Sequence, residues 1–139
     1  MAGELNDIKA GLKAALEEIP GLRVFDQPRE GINDFPAAVI IPRSFDYMKT
    51  LGDNTFDGVL RVVILIHRAE DTEGFGEIDK FVNPAGTESV RAAIAADPTL
   101  GGVVDSAHAT GAEEFGIIQL GGGRYQGATV VVEFIKTVG

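Results

Sequence analysis

The sequence predicts an α+β fold: a mainly antiparallel sheet packed by an N-terminal helix and two short central helices, within one domain spanning residues 1–139. Three observations predict it. Leu5, Ile8, Leu12, Leu16 and Ile19 recur at spacings of 3, 4, 4 and 3, which is one apolar face of a helix. Residues 35–47 and 55–67 read as two strands joined by a polar connection, hence a hairpin. Two short helical patterns then precede a long extended stretch and a final strand, so the predicted order is α-β-β-β-α-α-β-β.

Taken in order, the first helix covers residues 4–18. Pro20-Gly21 stops it, and Glu17-Glu18 oppose the helix dipole at that end. Residues 22–26 form a short strand. The next strand, residues 35–42, is bounded by Pro36 and Pro42. Proline cannot donate to a ladder, so both ends are expected at sheet margins. In residues 56–67, Leu60, Val62, Ile64 and Ile66 share one face, with Val59, Val63 and Leu65 on the other. A strand apolar on both faces belongs in the middle of a sheet. Phe75, Ile78, Phe81 and Val82 fall at helical spacing before Asn83-Pro84. Residues 87–96 form a second short helix with Thr87 as the expected N-cap. Residues 103–120 are mostly extended, interrupted near Gly111. Gly121-Gly122-Gly123 is a turn, and residues 126–138 are the last strand.

The length suits one domain, and 45% hydrophobic residues are enough for a core. The net charge is −9. Such a surface disfavours sequence-independent grip on nucleic acid or anionic lipid, which needs clustered cations. Residues 70–114 hold most of the excess, with 10 acids against 2 bases. There is no cysteine, which removes disulfide scaffolds, thiol nucleophiles and Cys-ligated zinc. The longest apolar run, residues 62–66, is far short of the ~20 residues of a membrane span. No secretory leader pattern stands at the N-terminus. The expectation is a soluble protein of a reducing compartment, or of a particle assembled there.

The residues offer no catalytic or metal constellation. Asp53, Asp57 and Gly58 match positions 1, 5 and 6 of a calcium loop, but position 12 is Ile64 where a bidentate acid is required. His67 and His108 have no ligand spacing around them. None of Ser44, Ser89 and Ser106 sits between glycines as in a nucleophile elbow. In Asp105-Ser106-Ala107-His108, the serine and histidine share a strand face and the aspartate points away. Residues 121–127 match no phosphate-binding fingerprint and precede no helix. The expectation is no catalysis, no cofactor and no metal, and a role in binding or assembly.

One segment reads as an interaction arm. Residues 43–57 carry Phe45, Tyr47, Met48 and Leu51 among Arg43, Asp46, Lys49 and Asp53. A connection that only turns the chain needs two to five residues, and long apolar connections are usually functional. Aromatics, Met and Arg are also enriched at interfaces. The expected interface residues are Arg43, Phe45, Tyr47, Met48, Lys49, Leu51 and Asp53. The competing reading is that Phe45 and Tyr47 continue the strand and pack on the domain's own core.

The layout as a whole resembles a known family. An amphipathic helix ends in Ile19-Pro20-Gly21-Leu22-Arg23-Val24, and residues 35–40 (Phe-Pro-Ala-Ala-Val-Ile) lead to a Tyr47-bearing loop and a long apolar strand. Phe81-Val82-Asn83-Pro84, Ser89-Val90-Arg91-Ala92-Ala93-Ile94, Asp97-Pro98-Thr99-Leu100-Gly101-Gly102, a glycine turn and a terminal strand follow. This resembles the tail terminator and neck (head–tail joining) proteins of long-tailed bacteriophages, particularly those infecting actinobacteria. The resemblance implies a non-enzymatic virion protein, assembled in the host cytoplasm, that forms a homohexameric ring at the head-proximal end of the tail tube. Such a ring ends tube polymerisation and meets the major tail tube protein on one side and the head–tail connector or stopper on the other. DNA passes through without specific binding, and an acidic channel wall would repel it. Candidates for that wall are Glu70, Asp71, Glu73, Glu77, Asp79, Glu113 and Glu114. The alternatives are a head–tail stopper or tail-completion protein, a small-ligand-binding domain or enzyme, or a bacterial structural subunit such as a baseplate component or toxin–antitoxin partner.

Overall fold

The structure, a computed structural model, describes residues 4–26, 32, 34–46, 55–68 and 78–137. Within them the elements are α1 (Glu4–Leu16), β1 (Arg23–Phe25), β2 (Ala37–Asp46), β3 (Thr55–Arg68), α2 (Ile78–Val82), α3 (Val90–Ala96), β4 (Ser106–Leu120) and β5 (Gly123–Thr137). The fold is α+β, with the predicted order of elements. The strands form one mixed sheet in the order β1-β2-β3-β5-β4. β1 runs parallel to β2, and every other neighbouring pair is antiparallel.

The helices cover one face of this sheet. Ile8, Leu12 and Leu16 of α1 are fully buried, and they meet Leu60, Val62, Ile64 and Ile66 of β3 and Val130, Val132 and Phe134 of β5 in one core. Ile78 and Phe81 of α2, with Val90 and Ile94 of α3, complete it. β3 is the central strand because it can be apolar on both sides. Its Val63 and Leu65 point the other way and form a second, smaller cluster with Ile32, Ala37, Val39 and Tyr125.

α1 stops at Leu16, two residues before the predicted end. Beyond it the chain tightens to shorter bonds, Glu18 N–H to the Ala15 carbonyl and Ile19 N–H to that of Leu16. β2 begins after Pro36 as expected, but it runs through Pro42. Pro42 is accommodated because β1 pairs with β2 only at residues 37–39, and the ladder with β3 shifts register between Pro42 and Ser44. Thr87 is not the cap of α3. Ser89 is: its hydroxyl accepts a bond from the Ala92 N–H at 3.1 Å and donates to the Asn83 carbonyl. Ser89 is 1% exposed, so neither bond is replaceable by water. Ser89→Ala is therefore expected to cost about 1–2 kcal/mol, read as a lower urea midpoint.

The long stretch after α3 becomes β4, paired with β5 through a two-residue turn at Gly121 and Gly122. Both have positive φ (57° and 83°), as the favoured tight hairpin requires. This turn accounts for the first glycines of the 121–127 cluster. Two register shifts interrupt β4, at Ala109/Gly111 and at Glu113/Gly116. On β5, Thr129 is fully buried and its hydroxyl has no partner among the described residues. A stranded buried hydroxyl costs about 1–3 kcal/mol. Thr129→Val keeps the shape and removes that cost. It is expected to raise the urea midpoint, by about 1 kcal/mol of stability.

Candidate interaction surface

The expected interaction arm divides between described and undescribed residues. Tyr47, Met48, Lys49, Leu51 and Asp53 lie outside the described residues. Arg43 is exposed on β2. Phe45 is half-buried and belongs to the chain's own core. Its ring lies 5.3 Å from Phe56 and 5.6 Å edge-on from Phe134, and Phe56 meets Phe134 at 5.9 Å. The rings of Phe45 and Phe134 close over Gly58, where an added Cβ would come within 2.6 Å of Phe45 and 2.7 Å of Phe134. Gly58 thus makes room for aromatic packing inside β3. For Phe45 the core-packing reading of the sequence is the one that holds.

The acidic candidates divide too. Glu70, Asp71, Glu73 and Glu77 lie outside the described residues. Asp79 is exposed in the first turn of α2. Glu113 is exposed on β4. Glu114 is engaged: Arg61 of β3 reaches across β5 and donates from Nη2 to its Oε1, on the sheet face away from the helices. That pair is partly open to solvent, so its value is modest, about 0–1 kcal/mol. It ties the edge strand to the centre of the sheet across a separation of 53 residues.

Asp105, Ser106 and His108 do not converge. Asp105 accepts a bond from the Thr137 hydroxyl at 2.5 Å, while Ser106 and His108 stand opposite Ile135 and Glu133 of β5. Among the described residues no group of three or more His, Asp or Glu side chains is placed to hold a metal. No helix among them is long and apolar enough to cross a membrane.

The surface feature that sequence reasoning missed is the outer edge of β4. This strand has fifteen residues and pairs only with β5 among the described strands. Its peptide groups on the far side are a template for another strand. Natural edges are protected by charged side chains (lysine above all), proline, bulges or shortness. β4 has Glu113, Glu114 and two register shifts, yet it is long and contains no lysine, arginine or proline. Instead it exposes Phe115 (54%) and Ile117 (50%), and Ile135 of the neighbouring β5 is also exposed (42%). Phe115 follows Glu114, which takes a positive φ of 58° at the register shift. The signal in the sequence was two large apolar residues flanking Gly116 (read as part of an ordinary strand).

Concavities among the described residues flank these edges. A slot of about 220 Å³ lies between α2, α3 and β4, lined by Phe81, Pro84, Arg91, Ala109, Ala112 and Val130 among others. A shallower groove of about 380 Å³ runs beside β1, lined by Glu17, Leu22, Arg23, Val24, Phe25 and Asp34. Comparison with protein-family models and with curated proteins finds no match to this chain.

Proposed function

We propose that this chain is a structural subunit of a phage virion, forming a hexameric ring that ends the tail tube at its head-proximal side and joins tail to head. The observation that carries the reading is β4. A long edge strand bearing exposed Phe115 and Ile117 is a surface for association. The order of elements also supports it. The α+β element order, α-β-β-β-α-α-β-β, is compatible with the resemblance to tail terminators. The slot beside α3 favours a small-ligand reading less. Ligand sites usually enclose about 300–1,000 Å³ with convergent polar groups, and this one is smaller and mostly apolar.

In this reading the chain performs no chemistry. Its partners are copies of itself, the major tail tube protein, and the head–tail connector or stopper. DNA traverses the ring without specific contacts, and Asp79 is an acid exposed for such a wall. The test is arrest of tube growth. Purified chain added to polymerising tail tube protein is expected to halt elongation at stoichiometric ring amounts. Tubes that grow unchanged would remove the terminator reading, and binding to the connector without arrest would favour a stopper.

A further inference from the structure

The sheet's two edges lie level with each other. Along the hydrogen-bond register, Arg23 of β1 stands in one row with Ala37, Leu65, Gly127 and Gly116, and Phe25 stands in a row with Val39, Val63, Thr129 and Glu113. The short strand β1 is therefore at the height of residues 113–116 of β4, on the opposite margin. This is the stretch of β4 that carries exposed Phe115, with Ile117 next to it. Strand directions agree as well. β2 follows β1, β3 reverses, β5 reverses again and β4 reverses once more, so β4 runs antiparallel to β1.

From this we infer that neighbouring copies join edge to edge, with residues 113–117 of β4 adding antiparallel to residues 22–25 at the β1 edge of the next copy. The inference rests on the ring reading and names the contact that builds the ring. A head-to-tail contact between two different edges repeats around a circle when the rotation closes. Because the two edges are level, the contact needs no stagger along the strands.

The side chains fit this pairing. By alternation, Ile117 (opposite Gln126 of β5) shares the helix-bearing face with Val24. Ile117 then lies along the β1 edge beside the groove, whose lining includes Glu17, Arg23 and Asp34 as well as the buried Leu22 and Val24. On the other face, Glu113 of one copy becomes a diagonal neighbour of Arg23 of the next. Arg23 is available for that: its own contact with Asp34 is 3.7 Å long, with both side chains well exposed. Pairing of β4 with β4 is the competitor. About the strand's midpoint it would set Glu113 against Glu113, and like charges directly opposite are destabilising.

The absence of cysteine makes the contact directly testable. Arg23→Cys and Glu113→Cys replace exposed side chains on opposite edges. Each variant, and the double variant, is treated with a short bismaleimide, and the native mass of the wild type is measured alongside. The expected result is no product from either single variant, a covalent dimer when the two are mixed, and a ladder from the double variant whose last rung counts the ring. Phe115→Lys with Ile117→Lys is expected to abolish that ladder while circular dichroism is unchanged. Cross-linking of Glu113→Cys alone would overturn the proposal in favour of a two-fold β4 pair. No product from a chain of hexameric native mass would overturn the edge contact and leave the ring standing. No product from a monomeric chain would remove both.

Discussion

Leu12→Asp is expected to abolish cooperative folding. Leu12 is fully buried at the centre of the α1 stripe, with Ile8 and Leu16, also fully buried, one turn to either side. The substitution forfeits the burial of a leucine, about 1.5–3 kcal/mol. It also places a carboxylate in a core whose described members, Leu60, Val62 and Val130 among them, are apolar. Burying a polar group without a partner costs about as much again, and a charge costs more. Domains of this kind are stable by only ~5–15 kcal/mol. The control is Ala14→Asp, two residues along on the exposed side of the same helix. It is expected to unfold at nearly the wild-type urea concentration. A native-like cooperative transition for Leu12→Asp would show that α1 does not hold the sheet.

Gly127→Ala is the second large effect, though it adds one methyl group. A Cβ at Gly127 would lie 1.9 Å from the Ile64 carbonyl oxygen and 3.0 Å from its carbon. Those are backbone atoms of the central strand, so no side chain can swing aside. Relief requires moving β3 from β5 just where the ladder shifts register between Leu65 and His67. Overpacking that side chains can absorb costs about 1–3 kcal/mol. Here the cost is expected at or above the upper end, about 3 kcal/mol or more. Gly111→Ala is the matched control, because a Cβ there meets nothing within 4 Å. The two variants should separate widely in guanidinium midpoint, and equal midpoints would contradict the close approach of β3 and β5.

The features legible in the sequence were those written as short-range periodicity. The α1 stripe, the two-faced β3, the β2–β3 hairpin and the glycine turn each depend on residues within one or two turns of chain. Strand order was less legible, because the parallel pairing of β1 with β2 brings together residues with no hairpin between them. The cap at Ser89 was missed in favour of Thr87 because both residue types suit the position. What decides it is a carbonyl, at Asn83, that only the fold supplies. The candidate surface was hidden for a similar reason. Phe115 and Ile117 look like core residues of a strand until the sheet places that strand at its margin. Of the expected arm, Phe45 packs on Phe56 and Phe134 of the chain's own core.

The central claim is that this chain is a ring subunit, and the native mass of the purified protein tests it most directly. At concentrations well above those that dilute weak complexes apart, light scattering coupled to gel filtration should give six times the mass of the 14.7 kDa chain. A chain that stays monomeric across that range, with its fold intact by circular dichroism, would contradict the account.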